Sequence, residues 1–262
     1  MSKDELHYDN THITFLEKLW GDGYMSPGGK KEINRLLNGL DLTEKKILDI
    51  GCGAGGITVS LVKDYGAKEV IGVDVEEDVV NSAIKRVVKN RLKDNIEILL
   101  ISKSNLPFED NCFDIVFSKD SFVHIPDKEK TFSQVFRVLK PGGHLWIQFG
   151  PAWFGPYGRH MSGTFRKDRP WVHLVLPEKT IMRCHSVLGN RDELVEKFKD
   201  KPGGLNKMGL YRFLRIIKKN NILIKNLKIN PISEKLKILT YIPFMKELFI
   251  GSISTKLKKT SN

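Results

Sequence analysis

The feature that most constrains this chain is a glycine-rich loop that follows a short apolar strand. Residues 47–56 read ILDIGCGAGG. Lys46 to Ile50 is apolar enough for a buried strand, and residues 55–65 carry the pattern of a helix. Gly51, Gly53 and Gly56 therefore place G-x-G-x-x-G at a strand-to-helix turn. Glycines there allow a tight turn and let the backbone approach a ligand closely. Asp74 lies 23 residues past Gly51 at the end of the next strand, EVIGVDV, where a carboxylate can accept both ribose hydroxyls of an adenosine.

The surrounding pattern alternates. Helices are expected at 12–20, 29–39, 55–65, 77–92 and 128–139, and strands at 46–50, 69–75, 96–101, 113–118 and 144–150. Lys140-Pro141-Gly142-Gly143 reads as a turn before the fifth strand. Helical spacing returns at 207–220, and 222–230 and 248–257 are strand-like. Strands and helices in this order build an α/β fold, a Rossmann-like seven-stranded and mostly parallel sheet with helices on both faces. Residues 151–206 break the alternation and are expected to be a cap inserted after strand five. The expected organisation is one domain over 1–262: an N-terminal helical flap (1–43), a ligand-binding core (44–150), the cap (151–206), and a last helix with C-terminal strands (207–262).

Asp49 separates two kinds of adenosine ligand. It stands two residues before Gly51, at the strand end. A carboxylate there repels a pyrophosphate and attracts an ammonium and a sulfonium. S-adenosylmethionine is thus favoured over a dinucleotide. At this point the chain resembles the class I S-adenosylmethionine-dependent methyltransferases. ILDIGCGAGG is similar to their first motif and VIGVDV to their second. LPFEDNCFDIVFS is similar to the fourth-strand block, and VLKPGGHLWI to the approach to the fifth strand. The resemblance spans roughly residues 44–150 and implies an antiparallel last strand. It assigns cofactor contacts to Asp49, Gly51, Cys52, Gly53, Asp74, Val75, Ser102, Lys103 and Lys119, with S-adenosylhomocysteine as product. Where the family often has an acidic residue for the adenine amine, this chain has Ser102. That contact then falls to a neutral hydroxyl, weaker than a charged acceptor, or to the backbone near Lys103.

Within the family, GDGYMSPGG at 21–29 resembles the entry segment of phosphobase and glycine/sarcosine-type N-methyltransferases. In the phosphobase enzymes the matching tyrosine closes over the cofactor and pairs with a histidine of a motif like SKDSFVH. The resemblance gives Tyr24 and His124 those catalytic roles, and gives Asp120 the acceptor amine. In the cap, Trp153, Tyr157 and Trp171 suit a cationic or flat acceptor, and Arg159, His160 and Arg183 suit an anionic group. For each aromatic the competing reading is that it fills the cap's own small core. No metal is expected, because no His or Cys set has ligand spacing.

Charge bears on partners. Residues 1–146 carry 20 basic and 23 acidic residues, whereas 147–262 carry 23 and 8. An anionic acceptor, a nucleic acid or an anionic lipid surface would each suit the second half. The leading expectation is an enzyme methylating a small-molecule amine or hydroxyl. A nucleic-acid methyltransferase is the alternative, but strand four lacks the Asp/Asn-Pro-Pro-Tyr/Phe type of motif. A non-catalytic or membrane-surface binding protein is the other alternative. With three cysteines, no CxxC and a polar N-terminus, a reducing, cytoplasmic setting is expected.

Overall fold

The computed structural model describes residues 8–102, 105–122, 124–125, 127–159, 169–188, 196–198, 207–220, 222–243 and 245–260. Seven strands form one sheet in the order β3-β2-β1-β4-β5-β7-β6. They are β1 Lys46–Ile50, β2 Glu69–Asp74, β3 Ile96–Leu100, β4 Phe113–Lys119, β5 Leu139–Phe149, β6 Leu223–Pro231 and β7 Ile250–Lys258. β1 pairs in parallel with β2 and β4, and β2 with β3. The last strand is antiparallel and helices surround the sheet, which is the Rossmann-like class expected from the alternation.

Two compact units divide the chain. The first comprises Met1–Ser121, Lys130–Trp146 and Lys258–Asn262, and the second Phe122–Glu129 and Ile147–Leu257.

In the first unit, α1 (Asn10–Trp20) and α2 (Gly29–Leu37) precede β1, while α3 (Gly56–Lys63) and α4 (Glu77–Lys89) are the first two crossovers. Asp9 caps α1 by accepting the His12 amide at 2.8 Å, the usual role of an N-cap carboxylate. β1 is central and buried over Ile47 to Ile50, so its sequence is a continuous apolar run interrupted only by Asp49. Ile33 and Leu37 of α2, Val59 and Leu61 of α3 and Val87 of α4 pack with Ile47, Val70, Ile96 and Ile115 in one core. β3 lies at the sheet edge and alternates instead, with Ile96 buried and Glu97 exposed.

The Lys140–Gly143 stretch differs from its expected turn, because β5 already runs through it. The Gly142 amide donates to the Lys259 carbonyl at 3.1 Å, and the Lys259 amide returns a bond to Gly143 at 3.0 Å. Gly142 has a φ of 74°, so the glycine bends the strand without ending its pairing.

In the second unit, α8 (Leu210–Lys219) buries Leu210, Phe213, Ile216 and Ile217 on one face. The unit also holds α6 (Val172–Val175) and α7 (Glu178–Leu188), and Lys128 and Glu129, which open α5 (Lys128–Val138). Between β6 and β7 the chain forms 3-10 helices at Glu234–Tyr241 and Lys246–Phe249, where the sequence suggested that a strand begins at 248.

Candidate functional site

The first unit assembles its site at the carboxyl ends of β1, β2 and β4. Asp49 is 1% exposed. It accepts a hydrogen bond from Thr58 Oγ1 at 2.7 Å. Burial pushes its carboxyl up to about 7; the Thr58 bond works against this shift, and the nearby Asp74 charge adds to it.

The loop that follows is tied down by backbone. Gly51 and Cys52 both donate to the Val73 carbonyl, at 2.8 and 3.1 Å. Gly51 sits at φ 71°, and a Cβ there would stand 2.3 Å from the Ser121 Cβ, so only glycine fits beneath the end of β4. Cys52 is buried, and burial raises its thiol well above the ordinary range, with Asp74 and Asp49 adding to the shift. It is an unreactive packing residue by that measure.

Asp74 closes the adjoining corner. Its Oδ2 accepts the Gly53 amide at 3.0 Å, and Oδ1 accepts the Val75 amide at 2.7 Å and the Glu76 amide at 3.3 Å. Burial still leaves its carboxyl above the usual range. Val75 and Leu100 are exposed apolar side chains at the ends of β2 and β3. Ser102, also exposed, follows directly. Lys103 lies outside the described residues.

The N-terminal segment packs onto this loop. The Gly56 amide, at the start of α3, donates to the Gly23 carbonyl at 3.0 Å. A Cβ on Gly56 would lie 2.5 Å from that oxygen, so both glycines are required by the approach. Arg86 of α4 clamps the arrangement: Nε donates to the Ala54 carbonyl at 2.7 Å, and the guanidinium pairs with Glu17 and with Asp22. Ile13 and Met25 pack with Ala54 and Val79. Tyr24 is 8% exposed, and its hydroxyl shares a 2.9 Å hydrogen bond with Ser60 Oγ of α3.

Lys119 ends β4 with its side chain buried. Its ammonium donates to Ser26 Oγ at 2.7 Å, the Pro27 carbonyl at 3.0 Å and Asp120 Oδ2 at 2.6 Å. The lysine is thus a strut between the N-terminal loop and the end of β4. Asp120 has a φ of 59° and is ion-paired to that strut.

Four contributors were not legible in the sequence. Thr58, Arg86 and the Gly23 carbonyl are one group, since nothing in a helical Thr or Arg announces a loop contact. Tyr8 is the fourth. Burial raises its phenol, and the charges of Asp74 and Glu76 raise it further.

The second unit holds the remaining candidates. His124 is exposed. Trp153 is 8% exposed and packs with Ile181, Met182 and Phe198. Its ring meets His173 and Phe198 edge-on at 4.9 and 5.1 Å. Trp171 is half-buried, and its indole donates to the Leu248 carbonyl at 3.1 Å. Arg159 is 1% exposed and donates to the Arg169 carbonyl at 3.3 Å. His173 is buried, with Nε2 2.6 Å from the Trp153 carbonyl and Nδ1 without a hydrogen-bond partner. Burial pushes that imidazole below its usual range. Tyr157 is 49% exposed. His160 lies outside the described residues. Among the described residues no group of three or more His, Cys, Asp or Glu has the arrangement of a metal site.

Comparison with known proteins agrees with the fold. Residues 42–153 match a family model described as a methyltransferase domain. Phosphoethanolamine N-methyltransferase 1 of Triticum aestivum is 33% identical over 145 residues, covering 55% of this chain and 28% of that protein. Phosphoethanolamine N-methyltransferase 2 of Caenorhabditis elegans is 36% identical over 149 residues, covering 55% and 33%. The chain thus spans about a third or less of the length of these relatives. A Haemonchus contortus phosphoethanolamine N-methyltransferase 2, solved with phosphomonomethylethanolamine and S-adenosylhomocysteine, superposes with a TM-score of 0.68 at 21% identity, over 98% of this chain and 59% of that one.

Proposed function

We propose that this chain is a class I S-adenosylmethionine-dependent methyltransferase whose acceptor is a small-molecule amine or hydroxyl, most nearly a phosphobase-type amine that carries an anionic group. One observation carries the cofactor half of the reading. The amide at the start of α3, where a dinucleotide's diphosphate would seat, already donates to the Gly23 carbonyl, and buried Asp49 accepts from Thr58, two residues into the same helix. A negative ligand meets a carbonyl oxygen and a carboxyl there, while a positive one meets two acceptors.

The residues present suit such a donor. Asp49 and the backbone of Gly51 to Gly53 would hold the methionyl end, and Asp74, with its paired oxygens, the ribose. Val75, Leu100 and Ser102 would border the adenine, and Tyr8 would stand over the Asp74 corner. S-adenosylmethionine supplies a methyl group on a positively charged sulfur. The chain supplies alignment for an in-line displacement and a dry pocket in which it happens. The N-terminal loop, fastened through Gly23, Arg86 and Lys119, is the element that shuts water out. An alkylammonium or hydroxyl acceptor must first lose a proton, and His124 is assigned that task, an imidazole being suited to it near neutral pH. The resemblance to the phosphobase enzymes assigns Tyr24 an orienting role and Asp120 the acceptor amine. In the second unit, buried Arg159 offers a fixed positive charge for the acceptor's anionic group.

The similarity to phosphoethanolamine N-methyltransferases, 33% and 36% identical over 145 and 149 residues, supports the acceptor class. We place the enzyme in a reducing, cytoplasmic setting; its described cysteines are all free thiols, and no described helix is long and apolar enough to cross a membrane. Titration calorimetry tests the cofactor. The expected result is binding of S-adenosylmethionine and S-adenosylhomocysteine and none of NAD; the reverse order of affinity would overturn the reading. A methyl-transfer assay on phosphoethanolamine, ethanolamine and glycine then ranks acceptors, with the phosphate-bearing amine expected first.

A further inference from the structure

The second unit carries a surface that the transferase reading does not use. The 3-10 helix Glu234–Tyr241 turns only Thr240 fully inward. Outward it presents Ile238, 71% exposed, and Tyr241, 73% exposed, with Ile242 following at 39%. Ile238 and Tyr241 are three residues apart, which in a 3-10 helix puts them in one row, and Ile242 follows at the helix end. Lys235 and Lys237 flank them and are exposed, and Lys246 opens the next short helix. The segment is internally fastened: the Leu236 amide donates to the Ser233 carbonyl at 3.0 Å, and Thr240 Oγ1 to the Lys237 carbonyl at 2.7 Å. The apolar face is therefore presented by hydrogen-bonded structure.

The charge around it is one-sided. Residues 207–257 contain eleven Lys and Arg against two Glu. Both glutamates are engaged, Glu234 with Lys237 at 3.8 Å and Glu247 with the Tyr211 amide at 2.8 Å. Lys225 and Lys228 stand exposed on β6, the last strand in the sheet order. Lysines on an edge strand keep other strands from adding to it, so that edge is not offered to a protein partner.

We infer that the Ile238–Tyr241–Ile242 face, ringed by Lys235, Lys237 and Lys246, docks this unit on an anionic lipid surface. Three properties select that occupant. Aliphatic side chains gain by entering the acyl boundary, and a tyrosine is at home at the headgroup level. The lysines gain from the negative leaflet. A second copy of the chain would oppose like charge with like charge, which disfavours self-association. A nucleic acid would satisfy the lysines, but two exposed isoleucines have nothing to gain from a polyanion. The inference stands apart from the methyl-transfer reading, and its failure would leave that reading untouched.

Flotation of the full chain with vesicles tests it. The protein should float with vesicles of phosphatidylcholine mixed with phosphatidylserine, remain behind with phosphatidylcholine alone, and lose the mixed vesicles at high salt. Replacing Ile238 and Tyr241 together by Asp should abolish flotation. Their exposure means the melting temperature should hold, and calorimetric binding of S-adenosylmethionine serves as a second check on folding. Lys235→Ala with Lys237→Ala should weaken vesicle affinity roughly 25-fold, at about fivefold per lysine near the surface. Wild-type protein that ignores the anionic vesicles would overturn the inference, as would variants that float as well as wild type. A dimer dispersed by Ile238→Asp, or a single-stranded RNA that displaces the vesicles from this face, would overturn it too, by naming a different occupant.

Discussion

The two units place their chemistry-bearing side chains in opposite ways. In the first, polar groups at the strand ends are fixed by hydrogen bonds to backbone and to other side chains. Asp74 takes three amides, Lys119 makes three hydrogen bonds, and Asp49 holds Thr58. In the second, Trp153 is absorbed by packing, in a small core with Ile181, Met182 and Phe198. The difference teaches that a motif of glycines and acids is read from sequence as a site because turn geometry leaves those residues little else to do. An aromatic-rich segment has two uses with the same composition, and only the fold separates them.

Trp153 gives the largest expected effect. Trp153→Ala should lower unfolding free energy by about 3–5 kcal/mol, the range for emptying a buried aromatic site, read from denaturant melts. Unchanged stability with a raised acceptor KM would return Trp153 to the binding site and erase the contrast between the units.

Asp49 sharpens the other side. Its carboxyl ionises at 3.8 when unperturbed and at about 7 in the folded chain. Between these values the folded state keeps a proton that the unfolded chain releases. Stability therefore falls as pH rises through the window, and above about 7 the full cost is present, on the order of 2–4 kcal/mol. Asp49→Asn keeps an acceptor for Thr58 and removes that cost. Without ligand the variant should outlast wild type in thermal melts at pH 8, with the gap closing toward pH 4. Its affinity for S-adenosylmethionine should drop about a hundredfold, the loss of one charge attraction in a low-dielectric site. A variant that gains no stability at pH 8 would show that Asp49 is already ionised and compensated in the free chain.

His124 should move turnover alone. His124→Ala is expected to reduce methyl transfer at least about a hundredfold, or about 2.7 kcal/mol of barrier, while calorimetric affinity for S-adenosylmethionine stays put. An undiminished rate would remove His124 from the reaction.

The sheet was legible because each strand is an apolar run bounded by turn residues, and the glycine loop because three glycines and two acids stand at set spacings. What escaped was contact between distant segments. Arg86 lies among lysines on a helix, and no periodicity distinguishes the one cation that reaches Glu17, Asp22 and Ala54. The Gly23 carbonyl is a backbone group, so no side chain signals that it covers the start of α3. The Lys140–Gly143 stretch departs from its expected turn for a related reason. Proline and glycine do report a bend, but pairing with Lys259, more than a hundred residues on, kept the bend inside a strand. The 3-10 helices Glu234–Tyr241 and Lys246–Phe249 carry no periodic signal in the sequence, because their apolar residues are not the buried ones.

Tyr157 tests the contrast from its weakest point. It belongs to the same aromatic run as Trp153, yet it is 49% exposed against 8%. If packing claims every aromatic of the second unit, Tyr157→Ala should behave as an ordinary surface change, within about 0.5 kcal/mol in stability and silent in kinetics. The exposed ring predicts a different outcome. Stability should stay within that margin, while KM for an amine acceptor rises a few-fold, the size of one solvent-accessible cation–π contact. Tyr157→Phe should keep most of the wild-type KM, because the ring face and not the hydroxyl carries the attraction. A Phe variant as impaired as the Ala variant would assign the role to the hydroxyl and place Tyr157 among the polar groups, as in the first unit.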